Sequence, residues 1–154
     1  MSFTITVTDI CGSATLTANA LGTTSYTYAV GATALSISIP AFTNSQASCT
    51  LTYSIVDATN TANAGPSFIT IAQPGSVGGN PTVSVSTSST GDVGTYTVKI
   101  KGEITGHATP AYSEALTIVV DLCTGVTLTT SSISDVTRDI SESYTHNIVT
   151  LSWA

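Results

Sequence analysis

The sequence predicts an all-β protein, an antiparallel sandwich with extra strands at both chain ends. Apolar residues alternate with polar ones at a period of two in segment after segment, while the 3.6-residue helical period is nearly absent. Turn-forming clusters separate these segments at short intervals, the spacing of an antiparallel sandwich. Composition completes the case. Of 154 residues, 30 are Thr and 21 are Ser, hydrophobic residues make up 42%, and charged residues only 8%. The usual charged share is about 25%. The apolar content suffices for a core, so the chain is expected to fold with a hydroxyl-rich surface in place of a charged one.

In chain order, the predicted strands are 3–10, 14–17, 25–30, 35–39, 49–56, 68–71, 82–86, 96–101, 116–122, 126–130 and 147–153. "LSISI" sets Leu35, Ile37 and Ile39 on one face. "YTVKIK" sets Tyr96, Val98 and Ile100 inward and Thr97, Lys99 and Lys101 outward. "LTIVVDL" sets Leu116, Ile118, Val120 and Leu122 on one face. Turns are expected at Pro40, 63–66 ("NAGP"), 73–81 ("QPGSVGGNP"), 90–94 ("TGDVG") and 105–110 ("TGHATP"). "SDVTRDISE", 134–142, could hold a helical turn, but loop or strand is the expectation there.

"GDVGTYTV" carries Asp92-x-Gly94-x-Tyr96. This resembles the tyrosine corner of immunoglobulin-like domains, where the phenol closes a turn by bonding to backbone upstream. Val98 stands where an antibody-type domain carries its strand-F cysteine, and the single Trp, Trp153, lies far from a central core position. The resemblance covers about eight residues and implies an immunoglobulin-like sandwich, not an antibody-type one.

The chain then restarts. "TVTDICGSATLT" (6–17) is echoed by "IVVDLCTGVTLT" (118–129), with identities at Val7/Val119, Asp9/Asp121, Cys11/Cys123, Thr15/Thr127, Leu16/Leu128 and Thr17/Thr129. "SYTYAV" (25–30) and "SYTHNI" (143–148) follow, then "LSI" (35–37) and "LSW" (151–153), with different spacing. The order gives one whole repeat, 11–122. Before it, 1–10 is a terminal strand of a preceding unit or a donor strand, and after it 123–154 holds the opening strands of a following unit. One detail resists a strict repeat. Phe3, Ile5 and Val7 have the opposite parity to Leu116, Ile118 and Val120, so either a bulge intervenes or the first strand packs elsewhere.

The layout resembles tandem immunoglobulin-like and cadherin-like repeats of large extracellular surface or filament proteins of microbes and protists. That resemblance implies a disulfide between the junction cysteine, Cys11, and Cys49 of the same repeat. Cys123 would then be unpaired or await a partner in another subunit. Read without the resemblance, three cysteines lacking a CxxC pair, beside two His, argue against zinc. They leave two choices: one disulfide plus a spare thiol in an oxidising compartment, or three buried free thiols. Cadherin-type calcium clusters are missing, so Asp9 and Asp121 read as turn or strand-edge residues.

Several functions are excluded as expectations. The only basic residues are Lys99, Lys101 and Arg138, against a net charge of −6, so neither nucleic acid nor an anionic membrane surface is an expected partner. No apolar run approaches the ~20 residues of a membrane helix. "MSFTITVTDI" lacks the basic and continuous apolar regions of a signal peptide, so one has been removed or the chain is part of something longer. No GxSxG elbow, paired-carboxylate site or phosphate loop is present, and His107 and His146 are isolated. No enzyme and no cofactor are expected. N-glycosylation sequons are absent, whereas "STSST" at 86–90 leaves O-linked sugars open.

Residues 1–10 and 123–154 are each too short to form a sandwich, yet each is β-patterned and would leave unpaired edges. Strand exchange between chains, a stretch of a longer tandem array, and ends folded back on the central unit all answer this. The first makes the protein an extracellular subunit of a surface filament or stalk, a homopolymer joined head-to-tail by β-strand addition. Phe3, Ile5 and Val7 at one end, and Val149, Leu151 and Trp153 at the other, would be its assembly strands. The alternative is an adhesin or carbohydrate-binding module, for which Tyr26 and Tyr28 on one strand face are the thin support.

Overall fold

A computed structural model describes residues 3–107 and 109–122. Among these residues there are ten strands, beginning with β1 Leu16–Thr17, β2 Ser25–Ala29, β3 Leu35–Ser38, β4 Thr43–Asn44 and β5 Leu51–Asp57. Then come β6 Ile69–Ala72, β7 Thr82–Val85, β8 Gly94–Ile104, β9 Ala111–Tyr112 and β10 Leu116–Asp121. Among the described residues the only helical element is a 3-10 turn at Thr90–Asp92. The alternation read from the sequence becomes two sheets with their apolar faces together. The larger sheet has the order β2-β10-β8-β5, with β9 also on β8, and the smaller has the order β3-β7-β6. A short ribbon, β1-β4, closes one end.

The core lies between the sheets. Ile37, Ile69, Val83 and Val85 of the smaller sheet meet Val98, Ile100, Leu116, Ile118 and Val120 of the larger one. Each fully buried aliphatic chain contributes about 1.5–3 kcal/mol of transfer free energy. β8 organises the larger sheet: Leu51 to Asp57 pair with Ile104 to Val98 on one side, and Leu116 to Val120 pair with Val98 to Gly94 on the other. Gly102 sits where β8 passes beneath Phe42, and a Cβ there would lie 2.6 Å from a ring carbon. That close approach needs glycine.

Among the described residues every strand pair is antiparallel except β2 with β10, which runs parallel with Tyr26 opposite Ile118 and Tyr28 opposite Val120. A parallel neighbour needs a long crossover, and here most of the sandwich lies between the two strands in sequence. The outer edge of β5 is occupied. The Gln73 side chain accepts from Tyr53 N (2.8 Å) and donates to Tyr53 O (2.7 Å). Gly65 N then donates to Ile55 O (3.2 Å) and Asp57 N to Asn63 O (3.0 Å). β5 therefore presents backbone groups that are already paired, which blocks strand addition on that side.

Two expectations change. Residues 3–10 form no strand, because no described strand lies beside them to complete a ladder. Leu122 is 53% exposed, because β10 ends at Asp121 and the alternation ends with it.

Candidate functional site: the two poles of the sandwich

β8 runs from one end of the sandwich to the other. Its ten residue steps at about 3.4 Å set the poles about 34 Å apart. The pole at Ile104 is the proximal one, where the N-terminal segment arrives; the pole at Gly94 is the distal one, where β10 leaves.

At the proximal pole Cys11 and Cys49 form a disulfide with Cα atoms 5.7 Å apart. Ala14 and Ile104 pack on it as a small separate cluster. Asp9 turns the chain inward: its Oδ1 accepts from Cys11 N (2.9 Å) and Gly12 N (3.2 Å). An Asp accepting from residues two and three ahead is the side-chain mimic of a backbone turn. Ser45 and Thr15 exchange two further bonds, Thr15 N to Ser45 Oγ (2.9 Å) and Ser45 N to Thr15 O (3.0 Å). Outside this anchored turn, Phe3, Ile5 and Val7 are 85%, 74% and 91% exposed. A cleft of about 380 Å³ lies beside the disulfide, between Phe42, Leu51 and Tyr53 and the loop 74–79.

The distal pole is held by two tyrosines. Tyr96, at the start of β8, donates its hydroxyl to Asp92 O at 3.0 Å, and its ring meets Phe68 edge-on at 5.0 Å. Gly94 lies against the Tyr96 ring, and the Asp92 carboxylate accepts from the Thr87 hydroxyl at 2.5 Å. Tyr28 is 3% exposed, and its hydroxyl donates to Ala32 O at 2.9 Å. Tyr26 and Tyr28 are the thin support from sequence for a carbohydrate-binding module; the burial of Tyr28 takes it out of any exposed aromatic face, and Tyr26 packs partly against the core. Its inward face follows from register, since Tyr28 lies opposite buried Val120. At the exit, Val30 N donates to Asp121 O (2.8 Å) and Leu122 N to Asp121 Oδ1 (2.7 Å).

Three ionisable groups are perturbed, each for a structural reason. Burial pushes the Tyr53 phenol above its ordinary value, partly opposed by the Phe42 N–H that bonds to it. The Thr59 hydroxyl, with the amides of Asn60 and Thr59, holds Asp57 below the ordinary carboxylate value. The Glu103 carboxylate, 2.7 Å from Lys101 Nζ, holds that ammonium above its ordinary value. Of the three, Tyr53 alone lines the cleft beside the disulfide. Among the described residues no three His, Cys, Asp or Glu side chains converge as a metal site, and no helix is long and apolar enough to cross a membrane.

The structure thus brings Cys11 to Cys49 and Asp92 to Tyr96, and leaves Phe3, Ile5 and Val7 exposed, without a partner among the described residues. Cys123, Val149, Leu151 and Trp153 lie outside the described residues, as do the strands expected at 126–130 and 147–153. Gln73, which closes the β5 edge, was missed by sequence reading; a lone Gln ahead of a Pro-Gly turn carries no signal of that role. The chain matches no protein-family model and no curated protein.

Proposed function

We propose that the protein is a repeat of an extracellular filament or stalk, an immunoglobulin-like unit that joins its neighbours head-to-tail by β-strand addition through its terminal segments. One observation carries the reading. The chain arrives at one pole and β10 ends at the opposite one, and the arriving segment is a β-patterned, apolar-faced stretch with no partner among the described residues. Opposite poles make a line of units; a contact of this head-to-tail kind that does not close gives an open filament.

Several features support it. With β3, β6 and β7 taken as strands B, D and E, and β5, β8 and β10 as C, F and G, the two sheets have the strand order of an immunoglobulin-like sandwich. Tyr96 then lies at the start of strand F and bonds upstream, as a tyrosine corner does. The disulfide fits an oxidising compartment, and a hydroxyl-rich surface with exposed Ser88 and Thr90 fits a protein that O-linked sugars could coat. The partner is therefore another copy, with no nucleic acid and no membrane insertion. The adhesin or carbohydrate-binding alternative rests on the proximal cleft, and glycan-array binding lost on Tyr53→Ala would favour it.

Sedimentation velocity of the full chain, unreduced, over a wide concentration range tests the assembly. The proposal expects species growing stepwise from the monomer, and their loss in an Ile5→Asp, Val7→Asp variant with an unchanged melting temperature. A wild-type chain that stays monomeric at every concentration contradicts it.

A further inference from the structure

We infer that Phe3–Val7 is an interchangeable copy of β10, built to occupy the β10 place in a sandwich of this same repeat that lacks its own last strand. This rests on the assembly reading above and names the partner surface for it. The structure shows that the face of β10 which the alternation assigned is the one that meets the core. Leu116, Ile118 and Val120 are buried to 1% exposure or less. Set Phe3, Ile5 and Val7 on those three and the separation is 113, giving "FTITV" over "LTIVV" with Thr4/Thr117, Ile5/Ile118 and Val7/Val120 identical. From Asp9/Asp121 through Cys11/Cys123 the separation is 112. Thr8 is thus the single extra residue, and the conflict of parity disappears: one inserted residue restores the apolar face, as a bulge does.

The β10 place is demanding. It lies between a parallel neighbour, β2, and an antiparallel one, β8, so both edges of the strand are paired. Its inner face meets the core, and its outer positions Thr117 and Val119 are half-buried. "FTITV" meets each requirement: bulky apolar residues at the three inward positions, β-branched Thr at the outward ones, and no Pro or Gly to interrupt a ladder. Addition to the outer edge of β5 is blocked by Gln73 and by the 63–65 segment. Edge addition at β2 or β3 would pair one side of the segment only and would not need the match to β10. In the proposed place the segment runs parallel to a β2-like strand and antiparallel to a β8-like one, with Ile5 opposite residues corresponding to Tyr26 and Tyr96.

Two experiments on the full chain test this. The first grafts the segment onto its equivalent. Leu116→Phe with Val119→Thr makes β10 identical to Phe3–Val7, while Ala115→Phe, Leu116→Thr, Thr117→Ile and Ile118→Thr install the same segment in the 112 register, where Val119 already matches Val7. The graft is expected to keep the cooperative melt and the protease-resistant core, and the shifted variant to lose both. An unfolded graft, or a shifted variant as stable as the graft, overturns the inference. The second damages the place and supplies the strand separately. An Ile118→Asp chain is refolded with a synthetic peptide of residues 2–10, the same peptide carrying Ile5→Asp, or a peptide of residues 115–122. Restored protease resistance with the first and third peptides is expected; rescue by the third alone overturns the inference. If no peptide rescues, the graft decides alone. A chain that forms filaments yet fails these tests keeps the assembly reading and loses the β10 place. A chain that passes them yet stays monomeric does the reverse.

Discussion

Removing the disulfide by replacing Cys11 and Cys49 together with Ala gives the most quantitative check on the fold. The bond joins residues separated by 38 in sequence. The loop-closure entropy it removes from the unfolded chain amounts to about 4 kcal/mol at 25 °C. Cys49 is 1% exposed, and its loss also leaves a small gap beside Ala14 and Ile104, which adds to the cost. Against a typical total of about 5–15 kcal/mol, this is a large fraction. Guanidinium unfolding followed by tryptophan-independent far-UV circular dichroism reads it. With a slope of roughly 4 kcal/mol per molar, the midpoint should fall by about 1 M. Reduced wild-type protein should fall by a similar amount. A double variant within about 1 kcal/mol of wild type would refute the reasoning, because the proximal pole would then be held by something other than this bond.

The other predictions concern single side chains. Tyr96→Phe keeps the contact with Phe68 and loses the bond to Asp92 O, so it should cost about 1 kcal/mol in equilibrium unfolding; no measurable cost would show that the corner bond is unimportant. Gly102→Ala forces a methyl to within 2.6 Å of the Phe42 ring and should cost about 1–3 kcal/mol, seen as a melting temperature several degrees lower. Tyr53 has a phenol raised in the folded state, so its contribution is whole below the unfolded value of about 10 and is lost as pH rises toward the folded one. Denaturation midpoints should therefore fall above about pH 10, and Tyr53→Phe should flatten that fall while costing about 1–3 kcal/mol at neutral pH through the stranded Phe42 N–H.

The strands that sequence reading found are those whose alternation is enforced by a core. Ile37, Val98, Ile118 and Val120 sit on the faces their period-two pattern assigned, because burial on one face leaves no other solution. What was not legible depends on neighbours distant in sequence. The parallel pairing of β2 with β10 leaves no local mark on "SYTYA". Tyr28 looked available for a ligand until its register opposite Val120 turned it inward. Gln73 acts through Tyr53, a residue whose edge position only the sheet order defines. Residues 3–10 failed as a strand for the complementary reason: the alternation is real, but a ladder needs a second strand. Leu122 shows the same limit at one residue, since a pattern runs on in sequence after the sheet has ended.

The central claim is that these sandwiches join in line through their poles. Negative-stain electron microscopy of the native, unreduced material tests it most directly. The account predicts long threads whose axial repeat is somewhat larger than the about 34 Å spanned by β8. Discrete particles of single-sandwich size at the same concentrations would contradict it.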